Sequence, residues 1–443
     1  MPLRALIIRL LDFEIWFAAA AVGASLLAPR LLPVAVVVPL LFWPLRRWAA
    51  GRWSARTPAD WAVGLLVLLL PVTLWATALP EITRPQVQRL LSGILLFYAL
   101  VNWAATAARL RWLVGAFFLA GIALAGLATI SVEWATLKLP FIPAGLYSRF
   151  AVLVSDAIHP NVLAGSLVLL FPLPAAYWLF YGLGARRSAA APGQPAPRLV
   201  ALERVLAAAA LISLAGLLFL TQSRGAWLAA GLAGMLLIAL RWRWGWLVFP
   251  LALVVIVSGF LYIGPAQVLD ALSTTGSVET LDGRLEIWSR AVYMIQDFPF
   301  TGIGMGSFLP LADALYPFFL YEPGRIEHAH NLLLQVAVDL GLPGLIAWLA
   351  VLLLAAFAAW RVLGAGRLRQ DPWLTALGAG LLAAQLTLLA HGMFDSVTWG
   401  MVRPAPLVWA LWGLAFAAQR VTSARGPAAK PGAPEDVLAR AGE

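Results

Sequence analysis

Residues 331–360 read NLLLQVAVDLGLPGLIAWLAVLLLAAFAAW, an apolar run that is broken only by a few polar side chains. As an α-helix this run would extend about 45 Å, whereas the hydrocarbon core of a bilayer is about 30 Å thick. It therefore predicts a helix that crosses a membrane. Gly341, Pro343 and Gly344 should break or kink this helix, because proline removes a backbone donor and clashes with the preceding turn.

The rest of the chain repeats this pattern. Of its 443 residues, 62% are hydrophobic and 12% are charged, against about 25% charged in a soluble domain. We therefore predict an all-α, polytopic membrane protein with about 12 transmembrane helices in a single integral membrane domain, 1–443, whose first span is not cleaved. The predicted spans are 13–29, 31–45, 59–79, 88–108, 112–131, 161–182, 203–220, 225–240, 245–263, 331–360, 373–393 and 403–419.

The net charge of +10 follows the predicted topology. With twelve spans and an inside N-terminus, 21 of the 31 lysines and arginines fall in the inside connections. The positive-inside rule then predicts that both termini are cytoplasmic, and it accounts for the charge without a nucleic-acid partner. Segment 183–200 is predicted to be a flexible cytoplasmic linker, and residues 421–443 a disordered cytoplasmic tail.

One long segment, 264–330, should lie outside the membrane and contain short helices. Within it, Asp282 is expected to cap a helix over about 284–297 that ends before Pro299. The apolar residues of this helix recur at 3–4 spacing and predict one apolar face, made of Leu285, Trp288, Val292 and Ile295. The following Gly302-Ile-Gly304-Met-Gly306 has no βαβ context, so it predicts a tight ordered turn rather than a dinucleotide site.

All four histidines fall on the outer side of this predicted topology, and His328-Ala-His330 closes the long outer segment. Histidine is the side chain whose ordinary pKa lies nearest neutrality, so such a pair indicates proton-transfer chemistry. Asn331, Gln335 and Asp339 follow at i, i+4 and i+8 and should share one helix face. Such a polar stripe either supports the histidines or joins helices to one another.

Four segments resemble the O-antigen ligase and polymerase family of bacterial envelope glycosyltransferases. The resemblance is densest over about 145–360. The segments are Thr221-Gln-Ser-Arg224-Gly-Ala-Trp227; Gly283-Arg284 through Trp288 with Asp297-Phe-Pro299 and Gly302-Ile-Gly304; His328-Ala-His330-Asn331 with Asp339-Leu-Gly341-Leu-Pro343-Gly344; and, less specifically, Arg149 with His159-Pro160-Asn161.

This resemblance implies a membrane glycosyltransferase of the GT-C type in the bacterial inner membrane, with its active site facing the periplasm. It also implies a donor glycan on a polyprenyl (undecaprenyl) diphosphate, and a glycolipid or lipid-linked sugar as acceptor. Neither a metal, a nucleotide sugar nor another cofactor is implied. A ligase, a repeat-unit polymerase of O-antigen or exopolysaccharide, and a protein O-glycosyltransferase would share this chemistry and differ only in acceptor.

The residues can be assigned to that chemistry. The diphosphate needs charge stabilisation as it leaves, and the planar guanidinium of arginine binds phosphate oxygens in pairs. We expect Arg224 and Arg284 to bind it, with Arg149, Arg325 and Arg403 as lesser candidates. His330 is expected to be the general base, with His328 second. The expected supporting residues are Asn331, Gln335, Asp339, His391, Asp395 and His159; the pair His391 and Asp395 can equally join helices.

Two hypotheses without catalysis, a transporter and a structural outer loop, compete with the enzyme hypothesis. A lipid-linked oligosaccharide transporter should carry charges near the middle of its spans and show repeated halves. Here the polar residues crowd one side of the predicted membrane, and no repeat is evident. A purely structural outer loop would leave the crowding of histidines and arginines unexplained. We therefore favour the enzyme.

Overall fold

The computed structural model describes residues 2–134, 144–147, 150, 152–153, 157–182, 197–264, 267, 281–399 and 404–424. These residues form a helical bundle. In a bilayer every backbone N–H and C=O must bond within its own segment, and helices satisfy this demand. The helices are α1 (Pro2–Leu11), α2 (Glu14–Leu27), α3 (Leu32–Ala50), α4 (Asp60–Ala76), α5 (Pro80–Trp103), α6 (Ala107–Ser131), α7 (Ala144–Tyr147), α8 (Pro160–Leu170), α9 (Pro172–Ala176), α10 (Pro197–Leu220), α11 (Arg224–Arg241), α12 (Val248–Ile263), α13 (Leu281–Asp297), α14 (Phe308–Leu315), α15 (Leu332–Leu368), α16 (Pro372–Gly392) and α17 (Ala405–Ala424).

The all-α, multi-pass prediction is confirmed. Each predicted apolar run coincides with a helix, and 161–182 forms α8, α9 and a π-helical turn, Tyr177–Gly182. Within the described residues, eight helical segments are long and apolar enough to cross a membrane, and α2 and α4 are shorter apolar helices. The count of twelve spans stays a prediction.

Three local boundaries differ from the sequence prediction. Residues 197–200 belong to α10 and residues 421–424 to α17, because the apolar pattern of each helix extends past the predicted boundary. The rest of the predicted linker, 183–196, and of the tail, 425–443, lies outside the described residues. Helix α13 begins at Leu281, so Asp282 lies in its first turn rather than at its cap.

The four apolar residues predicted to share one face of α13 differ in burial, and of these Trp288 and Ile295 are partly buried. Leu285 and Val292 are exposed, and the fully buried positions are Ile287, Ala291 and Met294. These three pack into a core of their own, separate from the main bundle core. The other buried members of this outer-loop core are Ile303, Phe308, Ala312, Ile326, Ala329 and Val338. The partners of the helix therefore lie in the loop itself, which an apolar count along one segment does not reveal.

The predicted kink of α15 lies at Gly341, where φ is +71° and ψ is 179°. Pro343 has no N–H for the carbonyl of Asp339 four residues earlier, and Thr73 Oγ1 of α4 donates to that oxygen instead, at 3.2 Å. Across the kink, the N–H of Leu342 donates to the carbonyl of Pro299 at 2.7 Å. Helix α4 and the outer loop together therefore satisfy the backbone groups that the kink exposes.

The glycine-rich turn is ordered against this kink, as predicted. Gly302, Gly304 and Gly306 all have positive φ. The N–H of Ile303 donates to the carbonyl of Val338 at 2.8 Å. A methyl group at Gly302 would lie 2.5 Å from the Asp339 backbone, so only glycine allows this close approach. The turn thus fixes the outer loop against the upper part of α15.

Candidate functional site

The His-Ala-His tripeptide is held by its middle residue. Ala329 is fully buried in the outer-loop core, and its N–H donates to Oε1 of Gln335 at 2.8 Å. His330 adopts a left-handed conformation with φ of +47°. The rings of His328 and His330 consequently lie side by side, with centroids 4.1 Å apart. The sequence-predicted pair is therefore a pair in space.

Asp395 approaches this pair from the turn that follows α16. Its Oδ1 lies 3.7 Å from Nε2 of His328, and both side chains are buried. Nδ1 of His328 accepts the backbone N–H of His330 at 3.2 Å. A neutral His328 therefore carries its proton on Nε2, which faces Asp395. Among the described residues, no hydrogen bond engages the imidazole of His330. Of the two histidines, His330 thus has nitrogens available to a ligand.

Arg284 reaches the same turn from the first part of α13. Its Nη1 donates to the carbonyl of Phe394 at 2.6 Å, and its guanidinium lies 5.7 Å from the Phe394 ring centroid. The side chain is half-buried. The structure therefore brings Arg284 to the residue directly before Asp395.

Arg224 begins α11 on another side of that turn. It is exposed, and among the described residues it forms no hydrogen bond or ion pair. The next residue, Gly225, packs so closely on Phe394 that an added methyl would lie 3.3 Å from the Phe394 Cβ. The helix N-terminus adds its free amides to the positive charge of this side chain. Arg284 therefore contacts Phe394 directly, and Arg224 precedes the glycine that packs on Phe394.

The surroundings of the cluster lower the pKa values of both His330 and Asp395. Burial and the neighbouring His328 lower the pKa of His330 from 6.5 to about 3, with smaller contributions from Arg284 and His159, against the opposing effect of Asp395. Burial alone would raise the pKa of Asp395. The histidines at 328, 391 and 330 and the N–H of Ser396 outweigh it and lower that pKa. At neutral pH the cluster therefore holds a neutral His330 beside an ionised Asp395.

His328, His330 and Asp395 could also hold a metal ion. Each offers one ligand atom, and these atoms lie within 4.8 Å of one another. A neutral imidazole and a carboxylate are ordinary ligands for zinc and similar ions. The same atoms can serve in proton transfer, so the geometry leaves both uses open.

The remaining predicted residues fall into three groups. His391 is buried in α16, with Nδ1 lacking a partner among the described residues, and its carbonyl accepts the N–H of Asp395. His159 is exposed at the start of α8, where its Nδ1 accepts the N–H of Asn161. Arg325 is exposed and is not brought into contact with the cluster. Arg149 and Arg403 lie outside the described residues.

The polar residues along one face of α15 form hydrogen bonds that hold the segment carrying the two histidines. Asn331 caps α15 by accepting the N–H groups of Leu333 and Leu334, and its Nδ2 lies 3.4 Å from the carbonyl of Met393. Gln335 connects Ala329 to Asp339, whose Oδ1 accepts Gln335 Nε2 at 3.0 Å. The stripe therefore consists of hydrogen bonds that position the His-Ala-His backbone.

Sequence reasoning missed Met393, Phe394 and Trp399, which complete these contacts. Met393 and Phe394 act mainly through their backbone carbonyls, which any residue would supply. Trp399 donates from Nε1 to Oδ2 of Asp339 at 2.7 Å. Gly306 donates its N–H to Oδ1 of the same carboxylate at 3.3 Å. In the sequence, the only signals for the segment 393–399 are that it directly follows His391 and that it contains Trp399.

Comparison with known proteins gives one family. Residues 208–349 match the sequence model of the O-antigen ligase family, and no curated protein matches the chain. The matched region contains Arg224, Arg284, His328 and His330, and ends before His391 and Asp395. Residues 208–349 therefore form a domain of the O-antigen ligase family, which supports an O-antigen ligase- or polymerase-like membrane glycosyltransferase.

Proposed function

We propose that the protein transfers a glycan from a polyprenyl diphosphate to a hydroxyl of a lipid-linked sugar acceptor, as an O-antigen ligase. His330 is the proposed general base, and Arg284 and Arg224 the proposed diphosphate ligands. The observation that carries the proposal is the position of the His330 imidazole, which forms no hydrogen bond among the described residues and lies in one cluster with His328 and Asp395. Arg284 donates to the carbonyl of the residue directly before Asp395. The family match supports the same reaction class.

The proposed step is a displacement at the anomeric carbon. The acceptor oxygen forms a bond to that carbon while its proton passes to a ring nitrogen of His330. The bond between the anomeric carbon and the diphosphate oxygen breaks, and its electron pair leaves with the diphosphate. Arginine donors near this oxygen stabilise the leaving charge, each by about 3–4 kcal/mol where water is excluded.

Asp395 and His328 have positioning roles in this proposal. The negative charge of Asp395 acts to raise the pKa of His330 and so stabilises the imidazolium that forms in the reaction. His328 accepts the N–H of His330 and faces Asp395 with its other nitrogen. His328 therefore holds the backbone of His330, and Asp395 compensates the charge of the imidazolium. Arg325 is a less favoured diphosphate ligand, and Arg149 and Arg403 remain candidates from sequence.

The proposed placement is the inner membrane of a bacterium, with both termini cytoplasmic and the cluster facing the periplasm. This agrees with the distribution of lysine and arginine along the chain. It also places the cluster where a lipid-linked glycan would meet its acceptor. No metal enters the proposed step, because the diphosphate is already a good leaving group and the arginines supply positive charge.

The acceptor is tested with wild-type protein and a polyprenyl-diphosphate-linked repeat unit, with and without a lipid A core. We expect one transfer onto the core and no product without it. Chain growth in the absence of the core would assign a polymerase instead. Glycan appearing on added polypeptide would assign a protein O-glycosyltransferase, and no product in any arm would contradict the proposed function.

His330→Ala should reduce the rate of transfer by about 10²–10⁴-fold, the contribution expected of a general base. The fold should persist, because the imidazole is half-buried and has no hydrogen bond among the described residues; thermal unfolding checks this. His159→Ala removes a nearby histidine already engaged in capping α8 and should cost much less. Full turnover by the His330 variant would reject the role of His330 as base.

A separate measurement tests the metal-free step. Loss of wild-type activity in chelator, with recovery in Mg²⁺ or Mn²⁺, would reject that step.

The pH dependence follows from the lowered pKa of His330. A base that stays neutral down to a pKa of about 3 should give a kcat/KM with no acidic break near 6.5. Bound diphosphate adds negative charge that raises this pKa, so the acidic limb of kcat should lie at higher pH than that of kcat/KM. A kcat/KM that falls with an apparent pKa near 6.5 would contradict the assignment.

Arg284→Lys should reduce kcat by about 10²-fold, since it keeps the charge but removes the planar pair of donors. Arg290→Lys is the matched control on the same helix. Arg290 contacts Glu286 and the carbonyl of Pro317 rather than the cluster, so its variant tests the integrity of the loop. Equal losses in the two variants would show that Arg284 acts through loop structure alone.

A further inference from the structure

A large groove lies apart from the histidine cluster. Its volume is about 1770 Å³, larger than the ~300–1,000 Å³ of ordinary small-molecule pockets. It runs between α2, α5, α6, α10 and α17, and its lining is mostly apolar. None of the cluster residues lines it.

The groove opens to the side of the bundle. Trp16 and Trp112, which line it, are 60% and 65% exposed. In a membrane this opening faces lipid rather than water. We therefore expect hydrocarbon chains rather than water in this groove, because water there would lack polar partners.

Its polar end lies on the far side of the bundle from the cluster. The turn between α15 and α16, residues 369–373, lines this end, whereas the other end of α16 leads to His391 and Asp395. The 21 residues of α16 separate the two regions by about 30 Å. The groove and the cluster are thus distinct sites.

The charges at the polar end are unequally compensated. The two carboxylate oxygens of Glu203 both accept from Nη1 of Arg111, at 2.8 and 2.7 Å, and the hydroxyl of Tyr177 donates to Oε2 of Glu203 at 3.5 Å. Asp371 caps α16 by accepting the N–H of Leu374. Arg204 forms no salt bridge among the described residues, and its buried Nε has no hydrogen-bond partner there. A cationic donor therefore lies at the end of a hydrocarbon groove without an acceptor.

We propose that this groove binds an anionic phospholipid, with its acyl chains along the apolar walls and its phosphate at Arg204. An arginine donor prefers a phosphate oxygen, and basic pockets between membrane helices are known to hold acidic lipid headgroups. This proposal does not depend on the glycosyl transfer.

The test measures lipid binding to the full chain in detergent, by native mass spectrometry and by thermal unfolding. The probes are phosphatidylglycerol, phosphatidylcholine and a polyprenyl monophosphate. Phosphatidylglycerol should be retained and should raise the unfolding temperature more than the other two. Equal effects of phosphatidylcholine, or preferential binding of the polyprenyl phosphate, would overturn the assignment.

Two pairs of variants locate the binding. Arg204→Gln should weaken phosphatidylglycerol binding by about tenfold or more, the value of one hydrogen bond to a charged group. Arg198→Gln, on the same helix but outside the groove, should leave it unchanged. Equal losses in these two variants would overturn the role of Arg204.

The second pair fills the groove. A side chain at Gly115 would meet open space within the groove, so Gly115→Phe should fold and displace the acyl chains. Gly126→Phe makes the same change on α6 outside the groove and should leave binding intact. Retention of the lipid by both variants would overturn the proposed position of the chains.

Discussion

The buried carboxylate of Asp339 is the interaction on which the outer part of the structure depends. It accepts hydrogen bonds from Gln335, from the backbone of Gly306 and from Trp399. These donors belong to α15, to the glycine-rich turn and to the loop after α16. Because a buried carboxyl group is costly unless its oxygens are hydrogen-bonded, all three segments are held in one arrangement.

The position of the histidine pair depends on that carboxylate through Gln335. The amide nitrogen of Gln335 donates to Asp339, and its oxygen accepts the N–H of Ala329. The position of the His-Ala-His backbone therefore depends on where α15 places Asp339. The buried methyl of Ala329 adds a second anchor in the outer-loop core. The imidazole of His330 then remains half-exposed and forms no hydrogen bond among the described residues, as the proposed base requires before its substrate binds.

Several elements could be predicted from sequence because they depend on local pattern. The apolar runs, the kink at Gly341 and the helix before Pro299 each follow from a short stretch of chain. The buried face of α13 could not, because Leu285 and Val292 are as apolar as Ile287 and Met294. Which of them is buried depends on Phe308 and Ile326, which come later in the chain and are brought there by the turn.

The sequence by itself determined a helical, multi-pass protein and named the histidines and arginines with chemistry to offer, because hydropathy and side-chain type are properties of single residues and short runs. The tertiary structure decided which of them meet. It brought Asp395 to His328 and Arg284 to Phe394, while Arg325 stayed apart. It also formed the groove at Arg204. Contacts between residues so far apart along the chain depend on how the helices pack, and helix packing is a property of the whole bundle.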